Sequence, residues 1–340
     1  MRELALELLN IKLGAVKRRD DFAMVSLTRK TARSGNYQLL SDSLRNGSSV
    51  ISEISEAGVV HEVDLVNDSN QPVLILDGEE LIGAKQNRIS NFTVLAHPQR
   101  TTRVPVSCVE QGRWSWMSPT LRTSGELLFP RARTANVRYA RTFKGVIQSD
   151  PVSQLDIWNS IESESKRAGL SMPISSITDL YRCYDSHLTA LTSTVVAEPF
   201  QVGAAFFWRK NIIGIEIFGN SQTLGHQLPK LVRSYGLEIG GLSASSRVQN
   251  RAQCAANSAN DHSTEETDST LFQGLVAQFL STLVKEPGEK LASCGAGYHV
   301  RTVTSTSLAS ALILDDSLVH FAAFPEEGGA YLRGRIALDT

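Results

Sequence analysis

The chain is most informative at residues 73–88, which read VLILDGEELIGAKQNR. Val73–Leu76 is an apolar run that predicts a buried strand, and Pro72 opens it, where a missing backbone N–H does least harm. Asp77–Arg88 then combines acids, bases, amides and glycines, a mixture that an ordinary surface loop does not need. We therefore expect a functional site directly behind this strand.

A second dense stretch, Cys108–Trp114, reads CVEQGRW. Two apolar strands are predicted between the stretches, over 88–96 and 102–109, and they would be joined around Pro98. If His97 pairs near Arg103, an antiparallel hairpin places Glu110 near Ser90 and Gly112 near Arg88. The hairpin would then bring the two polar stretches together.

Bulk composition allows sizeable cores and limits the class of partner. The chain has 340 residues, with 41% hydrophobic and 20% charged residues, and its 34 basic and 35 acidic residues nearly balance. A nucleic-acid partner is therefore not expected. From Arg113 to Lys144 there are seven basic residues and one acid, which fits a solvated loop or an anion-attracting rim.

The cysteines and the N-terminus favour a reduced, cytoplasmic protein with no membrane partner. None of the four cysteines is at C-x-x-C spacing, and no cluster has the spacing of zinc ligands. The apolar N-terminus is interrupted by Glu3 and Glu7, and no apolar run reaches the length of a membrane span. The sequence specifies no cofactor and no oligomeric state.

The pattern predicts an α+β protein, with a β-rich N-terminal part forming a sandwich or barrel-like antiparallel sheet, followed by a mixed part of helices and antiparallel sheet. We predict a β-rich domain over 1–115 that carries both motifs, an irregular Arg-rich connector over 116–150, and an α+β part over 151–340 with a flexible loop near 243–269. The predicted strands are Phe22–Leu27, Val59–Val66, the strands described above, a hairpin of Val202–Trp208 with Ile212–Phe218, and C-terminal strands near Leu291, Tyr298–Val303, Leu308–Leu314 and Leu318–Phe324. The predicted helices are Leu39–Leu44, Ser153–Ala168, Ser175–Thr194, Thr223–Leu237 and Thr270–Leu283.

The segments Gly78–Ile89 and Pro105–Trp114 resemble a known family. They read GEELIGAKQNRI and PVSCVEQGRW, and they are similar to the ARPP-type domain, named for its association with ADP-ribosylglycohydrolases and rhodanese-phosphatases. The resemblance covers most of the chain and implies a link to ADP-ribose chemistry through domain and gene neighbourhood. It supplies no established activity and no catalytic assignment.

The candidate anion ligands are Arg88 and Arg113, whose planar guanidinium groups fit carboxylate or phosphate, with Lys85 as an added point charge. The alternative is an Arg88–Glu110 or Arg113–Glu80 ion pair that holds the hairpin together. Several buried charges would be costly unless nearly all of them were paired.

The candidate acids are Glu80 and Glu110, either of which could act as a general acid or base if burial raised its pKa. Glu79 and Glu80 are adjacent and would point to opposite faces of a strand. Cys108 could be a nucleophile, but a cysteine on an apolar strand is more often core filling.

The remaining candidates are recognition residues. Gln86 and Asn87 can bind a base edge or a sugar hydroxyl, or they can satisfy loop backbone. Trp114 and Trp116 could stack on a base, or they could form a hydrophobic lid.

Three functions remain open on sequence alone. The first is a binding module for a nucleotide-like or phosphorylated small molecule, with a link to ADP-ribose metabolism. The second is a hydrolase or glycosyl-transfer enzyme that uses Glu80 or Glu110. The third is a purely structural role for both motifs.

Overall fold

Two β structures organise the chain, an eight-stranded sheet and a closed six-stranded barrel. The computed structural model describes residues 2–30, 35–110, 112–143, 145–149, 151–169, 176–250 and 265–326. Within these ranges the helices are α1 Arg2–Leu9, α2 Leu40–Arg45, α3 Pro130–Tyr139, α4 Pro151–Arg167, α5 Ile177–Thr192, α6 Ser221–Asn250 and α7 Glu265–Lys285. The strands are β1 Lys12–Arg19, β2 Phe22–Thr28, β3 Gln38–Leu39, β4 Ser49–Ser52, β5 Glu62–Asn67, β6 Val73–Ile75, β7 Glu79–Gly83, β8 Arg88–Ser90, β9 Val94–Ala96, β10 Arg100–Cys108, β11 Leu121–Leu127, β12 Ala140–Phe143, β13 Val146–Ser149, β14 Gln201–Trp208, β15 Asn211–Phe218, β16 Glu289–Ala292, β17 Tyr298–Val303, β18 Ser307–Leu314 and β19 Ser317–Pro325.

The large sheet is antiparallel and joins the beginning of the chain to its end. Its order is β1-β2-β14-β15-β19-β18-β17-β16, so that β2 pairs directly with β14. Side chains alternate between its faces: Phe206 packs towards α6, whereas Phe207 packs towards α1 and α7. Both faces are therefore covered, and the sheet is the middle layer of three.

The barrel lies in the layer that also contains α6. Its order is β10-β5-β4-β11-β7-β8, and its interior is filled by small and branched apolar side chains such as Ile51, Leu65 and Val106. A short sheet of β3, β6 and β9 lies beside it and supplies Leu74 and Leu95 to the core under the large sheet. The three helices α3, α4 and α5 share a separate apolar cluster.

The predicted fold class is confirmed, as is the barrel-like character of the N-terminal part. Most of the predicted elements are present, including β2, β10, the β14–β15 hairpin, α4, α5, α7 and the four C-terminal strands. The segment predicted as 88–96 is divided into β8 and β9, because residues between them turn the chain from the barrel into the short sheet. The predicted strand Val59–Val66 begins later, at Glu62.

The interpretation of 116–150 as irregular was wrong at the level of secondary structure. This segment contains β11, α3 and the β12–β13 hairpin. Helix α3 reads PRARTANVRY and buries Arg133 and Asn136 together with small apolar residues such as Ala132 and Ala135, so that its buried face shows only a weak apolar stripe in the sequence. The domain boundaries themselves stay a prediction.

The predicted loop near 243–269 is described only at its two ends. Helix α6 continues to Asn250 and α7 begins at Glu265, while the residues between these two helices lie outside the described ranges. In the described part of the chain, no helix is long and apolar enough to cross a membrane.

Candidate functional site

The two polar motifs meet, as predicted, but through a different register. Strand β8 pairs antiparallel with β7 on one side and with β10 on the other. Ser90 faces Val106, and Arg88 faces Cys108, so that the predicted Glu110–Ser90 pairing was wrong by four residues. The chain between β8 and β10 is not a simple hairpin, because β9 leaves the barrel to pair with β6. The predicted turn at Pro98 therefore does not set the register.

Arg88 is enclosed by the barrel. Its Nη2 lies 3.1 Å from Glu53 Oε1 and 3.2 Å from Oε2. Its Nη1 donates to the carbonyls of Val59 at 2.7 Å and Val60 at 2.6 Å. Burial lowers the pKa of Arg88, and Glu53 opposes that effect. The alternative Arg88–Glu110 pair was wrong in its partner, and these contacts leave the two terminal nitrogens committed within the protein.

Arg113 pairs with Glu110 and not with Glu80, which was the predicted alternative. Arg113 Nη2 lies 2.6 Å from Glu110 Oε2, and its guanidinium also donates to Ala84 O at 3.0 Å. Partial burial acts to raise the pKa of Glu110, but Arg113 and the Asn87 N–H outweigh it and hold this pKa below its ordinary value. Glu110 thus has the environment of an ionised structural carboxylate rather than that of a general acid.

The two amides of the first motif satisfy the loop that contains them. Gln86 Nε2 donates to Glu110 O at 2.5 Å, and Asn87 N–H donates to Glu110 Oε2 at 3.0 Å. Asn87 Oδ1 accepts from Gly83 N at 3.1 Å and from Arg113 Nη2 at 3.0 Å. These contacts hold the first motif rigidly against the second.

Lys85 differs from these neighbours because its charge is not neutralised. Its Nζ donates to Ala57 O at 2.9 Å, and among the described residues it forms no salt bridge. It lies 5.7 Å from the ring centroid of Trp114 and 5.2 Å from that of Trp116, which are 43% and 50% exposed. The preceding residue, Ala84, has a φ of 41°, in the region that favours glycine. The site therefore holds one cation, itself only 9% exposed, beside two half-exposed indoles on a strained, rigid turn.

Glu79 and Glu80 contact different elements, as their alternation on a strand predicts. Glu79 Oε1 lies 2.6 Å from Lys230 Nζ of α6, whereas Glu80 Oε1 accepts from Thr178 Oγ1 of α5 at 3.0 Å. Burial raises the pKa of Glu80 to about 7, although the hydroxyls of Ser124 and Thr178 favour its ionised form. Glu80 therefore has an environment that suits a general acid or base.

Cys108 has the environment of a core residue. Burial raises the pKa of its thiol to about 11, which is the opposite of what a nucleophile requires. Its backbone is clamped by Gln154, which accepts from Cys108 N and donates to Cys108 O, both at 2.8 Å. The structure thus supports the core-filling alternative for this cysteine.

Sequence reasoning missed a buried polar network centred on Arg133. Arg133 Nη1 lies 2.6 Å from Glu216 Oε1, and Arg133 Nε donates to Asp77 Oδ2 at 3.1 Å. His320 Nε2 lies 2.8 Å from Glu216 Oε2, and its Nδ1 lies 2.7 Å from Thr93 Oγ1. The network joins the barrel side, α3 and the large sheet. Only the arginine excess in 113–144 hinted at it, because its acidic and histidine partners are distant in sequence.

The pKa values of the two carboxyl groups in the network shift in opposite directions. Burial acts to raise the pKa of Glu216, but Arg133 and His320 outweigh it and lower that pKa. Burial raises the pKa of Asp77 despite Arg133. In the described part of the chain, no group of three or more His, Cys, Asp or Glu residues has the geometry of a metal site.

Fold and site together define an α+β protein with a polar, aromatic-edged turn on a closed barrel. Residues 10–324 match the ARPP-1 family, described as the ARG and Rhodanese-Phosphatase-superfamily-associated Protein domain. The chain belongs to this family, as its two motifs indicated. Neither a comparison with curated proteins nor one with solved structures gives a match.

Proposed function

We propose that this chain is a ligand-binding module for a nucleotide-like small molecule, which it contacts through Lys85, Trp114 and Trp116. The observation that carries the proposal is the position of the Lys85 ammonium beside two half-exposed indole rings, with no carboxylate of the described residues within salt-bridge distance. The family's association with ARG proteins suggests a link to ADP-ribose metabolism. ADP-ribose is therefore the first ligand to test.

The three side chains offer the two kinds of contact that a nucleotide needs. A half-exposed indole gives a flat apolar surface on which a base can stack, at about 1–3 kcal/mol per base. Lys85 is only 9% exposed, but its ammonium has donors left after its bond to Ala57 O, and a phosphate oxygen that enters beside the indoles can accept from them. A cation and aromatic faces side by side therefore favour a ligand that carries both a ring and an anionic group.

The rest of the motif supports this surface rather than extending it. Arg88, Arg113, Gln86 and Asn87 all have internal partners, so we assign them to positioning the turn that carries Lys85. A strained residue such as Ala84 persists only where its surroundings over-determine the backbone, and such strain is concentrated at functional sites. In this proposal the structural role, which the sequence left open for both motifs, belongs to Arg88, Arg113, Gln86 and Asn87.

The proposal is tested by titrating ADP-ribose into the full chain while recording tryptophan fluorescence. Trp158→Phe and Trp208→Phe together leave only the two site tryptophans to report. Saturable quenching is expected, accompanied by a rise in the unfolding midpoint. Ribose 5-phosphate, which lacks the base, and adenosine, which lacks the phosphate, should each bind at least about tenfold more weakly, the equivalent of about 1.4 kcal/mol.

Matched variants separate a specific site from general affinity. Lys85→Met and Trp116→Ala should each weaken binding about tenfold or more without lowering the unfolding midpoint. Lys290→Met is the control, because Lys290 Nζ lies 3.6 Å from the Tyr298 ring centroid, far from the motifs in sequence. Equal affinity in Lys85→Met and the unaltered chain would overturn the proposal, as would the lack of saturable quenching at millimolar ADP-ribose.

A further inference from the structure

A second cluster of polar side chains lies where β7 and β11 meet α5 and α6. It contains four carboxylates, and three of them have cations, since Asp185 of α5 shares Arg233 with Glu126 at 3.2 Å. Glu79 pairs with Lys230 at 2.6 Å, and Glu126 pairs with Arg233 at 2.7 Å. In the described ranges, Glu80 has no cation within salt-bridge distance, and its Oε2 has no hydrogen-bond partner although the side chain is buried. Glu80 thus differs from its neighbours, because Oε2 lacks a partner with hydrogen-bond geometry, although the Ser124 hydroxyl lies near enough to lower the pKa of this carboxyl.

A bulge in β11 lies opposite Glu80. Leu81 pairs with Thr123, and Glu79 pairs with Leu127, so that one residue of β7 faces three residues of β11, Ser124–Glu126. These three residues are only partly buried, and a Cβ built on Gly125 would meet no atom within 4 Å. The bulge therefore places a partly exposed segment with open space at Gly125 opposite Glu80, and bulges next to active sites often redirect a side chain.

We propose that Glu80, with the hydroxyls of Ser124 and Thr178, forms a proton-donating site for an uncharged small molecule that approaches past the Ser124–Glu126 bulge. An uncharged ligand with an acceptor oxygen or nitrogen fits, because Glu110 and Glu126 both act on Glu80 as like charges and would repel an anion. The two hydroxyls give such a ligand further partners.

The surroundings keep a proton on Glu80 near neutral pH. Desolvation raises its pKa to about 7, and Glu126 and Glu110 add to this effect, while Ser124 and Thr178 oppose it. From α5, Tyr181 faces the same cluster and is itself influenced by Glu80 and Glu126. Glu80 therefore keeps its proton below about pH 7, and a carboxyl held protonated in this range can act as the acid of a site.

The site is tested with an uncharged carbodiimide, dicyclohexylcarbodiimide, followed by peptide mass spectrometry of the full chain. The protonated carboxyl transfers its proton to a carbodiimide nitrogen, and its oxygen bonds to the central carbon, giving an O-acylisourea that rearranges to a stable N-acylurea. Glu80 should be labelled below pH 7 and progressively less as the pH rises above that value. Labelling should disappear in Glu80→Gln with the fold retained.

Glu164 is the internal control. It is also buried, with a pKa raised by burial to about 7, but it has a salt bridge to Arg167. Labelling of Glu80 at least tenfold above that of Glu164 supports the proposal, and labelling no higher than that of Glu164 overturns it. Thr178→Val, which keeps the side-chain shape but removes the hydroxyl, should move the labelling midpoint to higher pH, whereas an unmoved midpoint contradicts the assigned role of Thr178. These outcomes do not depend on Lys85, so they are independent of ADP-ribose binding.

Discussion

Arg88 and Glu53 form a buried ion pair inside the barrel wall, in which the single nitrogen Nη2 lies 3.1 Å and 3.2 Å from the two carboxylate oxygens. The two side chains are 0% and 1% exposed. Trp114 covers the pair from outside, with the guanidinium carbon 5.4 Å from its ring centroid. A residue that looks like an anion ligand in the sequence is therefore part of the support beneath the exposed aromatic surface.

Replacing only one residue of this pair should destabilise the fold more than replacing both residues. Arg88→Met leaves the Glu53 carboxylate buried without its cation, and breaking a buried pair in this way costs about 3–5 kcal/mol. Replacing both residues, as Glu53→Leu with Arg88→Met, should recover at least about 1 kcal/mol of that loss. Urea unfolding at pH 7 measures both values.

Arg103→Ala is the matched control for this prediction. Its Nε lies 3.4 Å from Asp64 Oδ1, but the Arg103 side chain is 56% exposed. Exposed pairs contribute about 0–1 kcal/mol, so that the midpoint should hardly change. If Arg88→Met cost no more than Arg103→Ala, the pair would have no supporting role.

Glu80→Gln should stabilise the protein above neutral pH. The folded state holds the pKa of Glu80 at about 7, above the ordinary 4.5, so that between these values the folded state binds more protons than the unfolded chain. Stability is therefore lost as the pH rises from 4.5 to 7, by about 3 kcal/mol in total. The glutamine has no charge to desolvate, and urea unfolding at pH 8 should show it to be more stable than the parent, with little difference at pH 4.5.

Glu110→Gln should show the opposite sign. The folded state lowers the pKa of Glu110, so this carboxylate contributes stability above its ordinary pKa and loses it as the pH falls through the folded value. The glutamine variant should be less stable at pH 7, with a difference that shrinks in acid. Equal pH profiles for the two variants would refute the separate environments of Glu80 and Glu110.

The parts of the fold that sequence could predict are those with a local signal. Strand β5 and helix α5 show clear periodicity, and the hairpin of β14 and β15 has its turn at Lys210. The meeting of the two motifs was predictable as well, because both flank a β segment of limited length. The strands, helices and turns among these features depend on neighbours within a few residues.

The parts that sequence could not predict are the pairings between distant residues. Glu53 lies 35 residues from Arg88, and Glu216 lies 83 residues from Arg133. Neither acid has a local pattern that marks it as a partner, and a single buried charge in a strand does not show which cation it meets. The register of β8 against β10 was missed for a related reason, since the pairing of β9 with β6 is decided by tertiary packing.

Gly83→Ala should be strongly destabilising. Gly83 has a φ of 122°, and a Cβ there would lie 2.5 Å from Ser118 Oγ and 2.7 Å from Thr120 O. The positive φ costs about 1–2 kcal/mol for other residues, and the contact with a fixed carbonyl adds about 1–3 kcal/mol. Gly47→Ala isolates the first effect, because Gly47 has a φ of 73° and open space around it. Similar unfolding midpoints for the two variants would show that the turn before Lys85 is not tightly packed.

Cys108 should be inert in the folded protein, in contrast to the exposed Cys183. With its pKa raised to about 11 by burial, the thiolate fraction of Cys108 at pH 8 is roughly two orders of magnitude below that of an ordinary thiol. Iodoacetamide at pH 8, followed by peptide mapping, should therefore modify Cys183 first and reach Cys108 only in denaturant. Gln154→Ala offers a sharper check, since it releases the clamp on the Cys108 backbone and should speed this alkylation while leaving that of Cys183 unchanged. If Cys108 in the native chain were alkylated as fast as Cys183, Cys108 would again be a candidate nucleophile, and its assignment to the core would be contradicted.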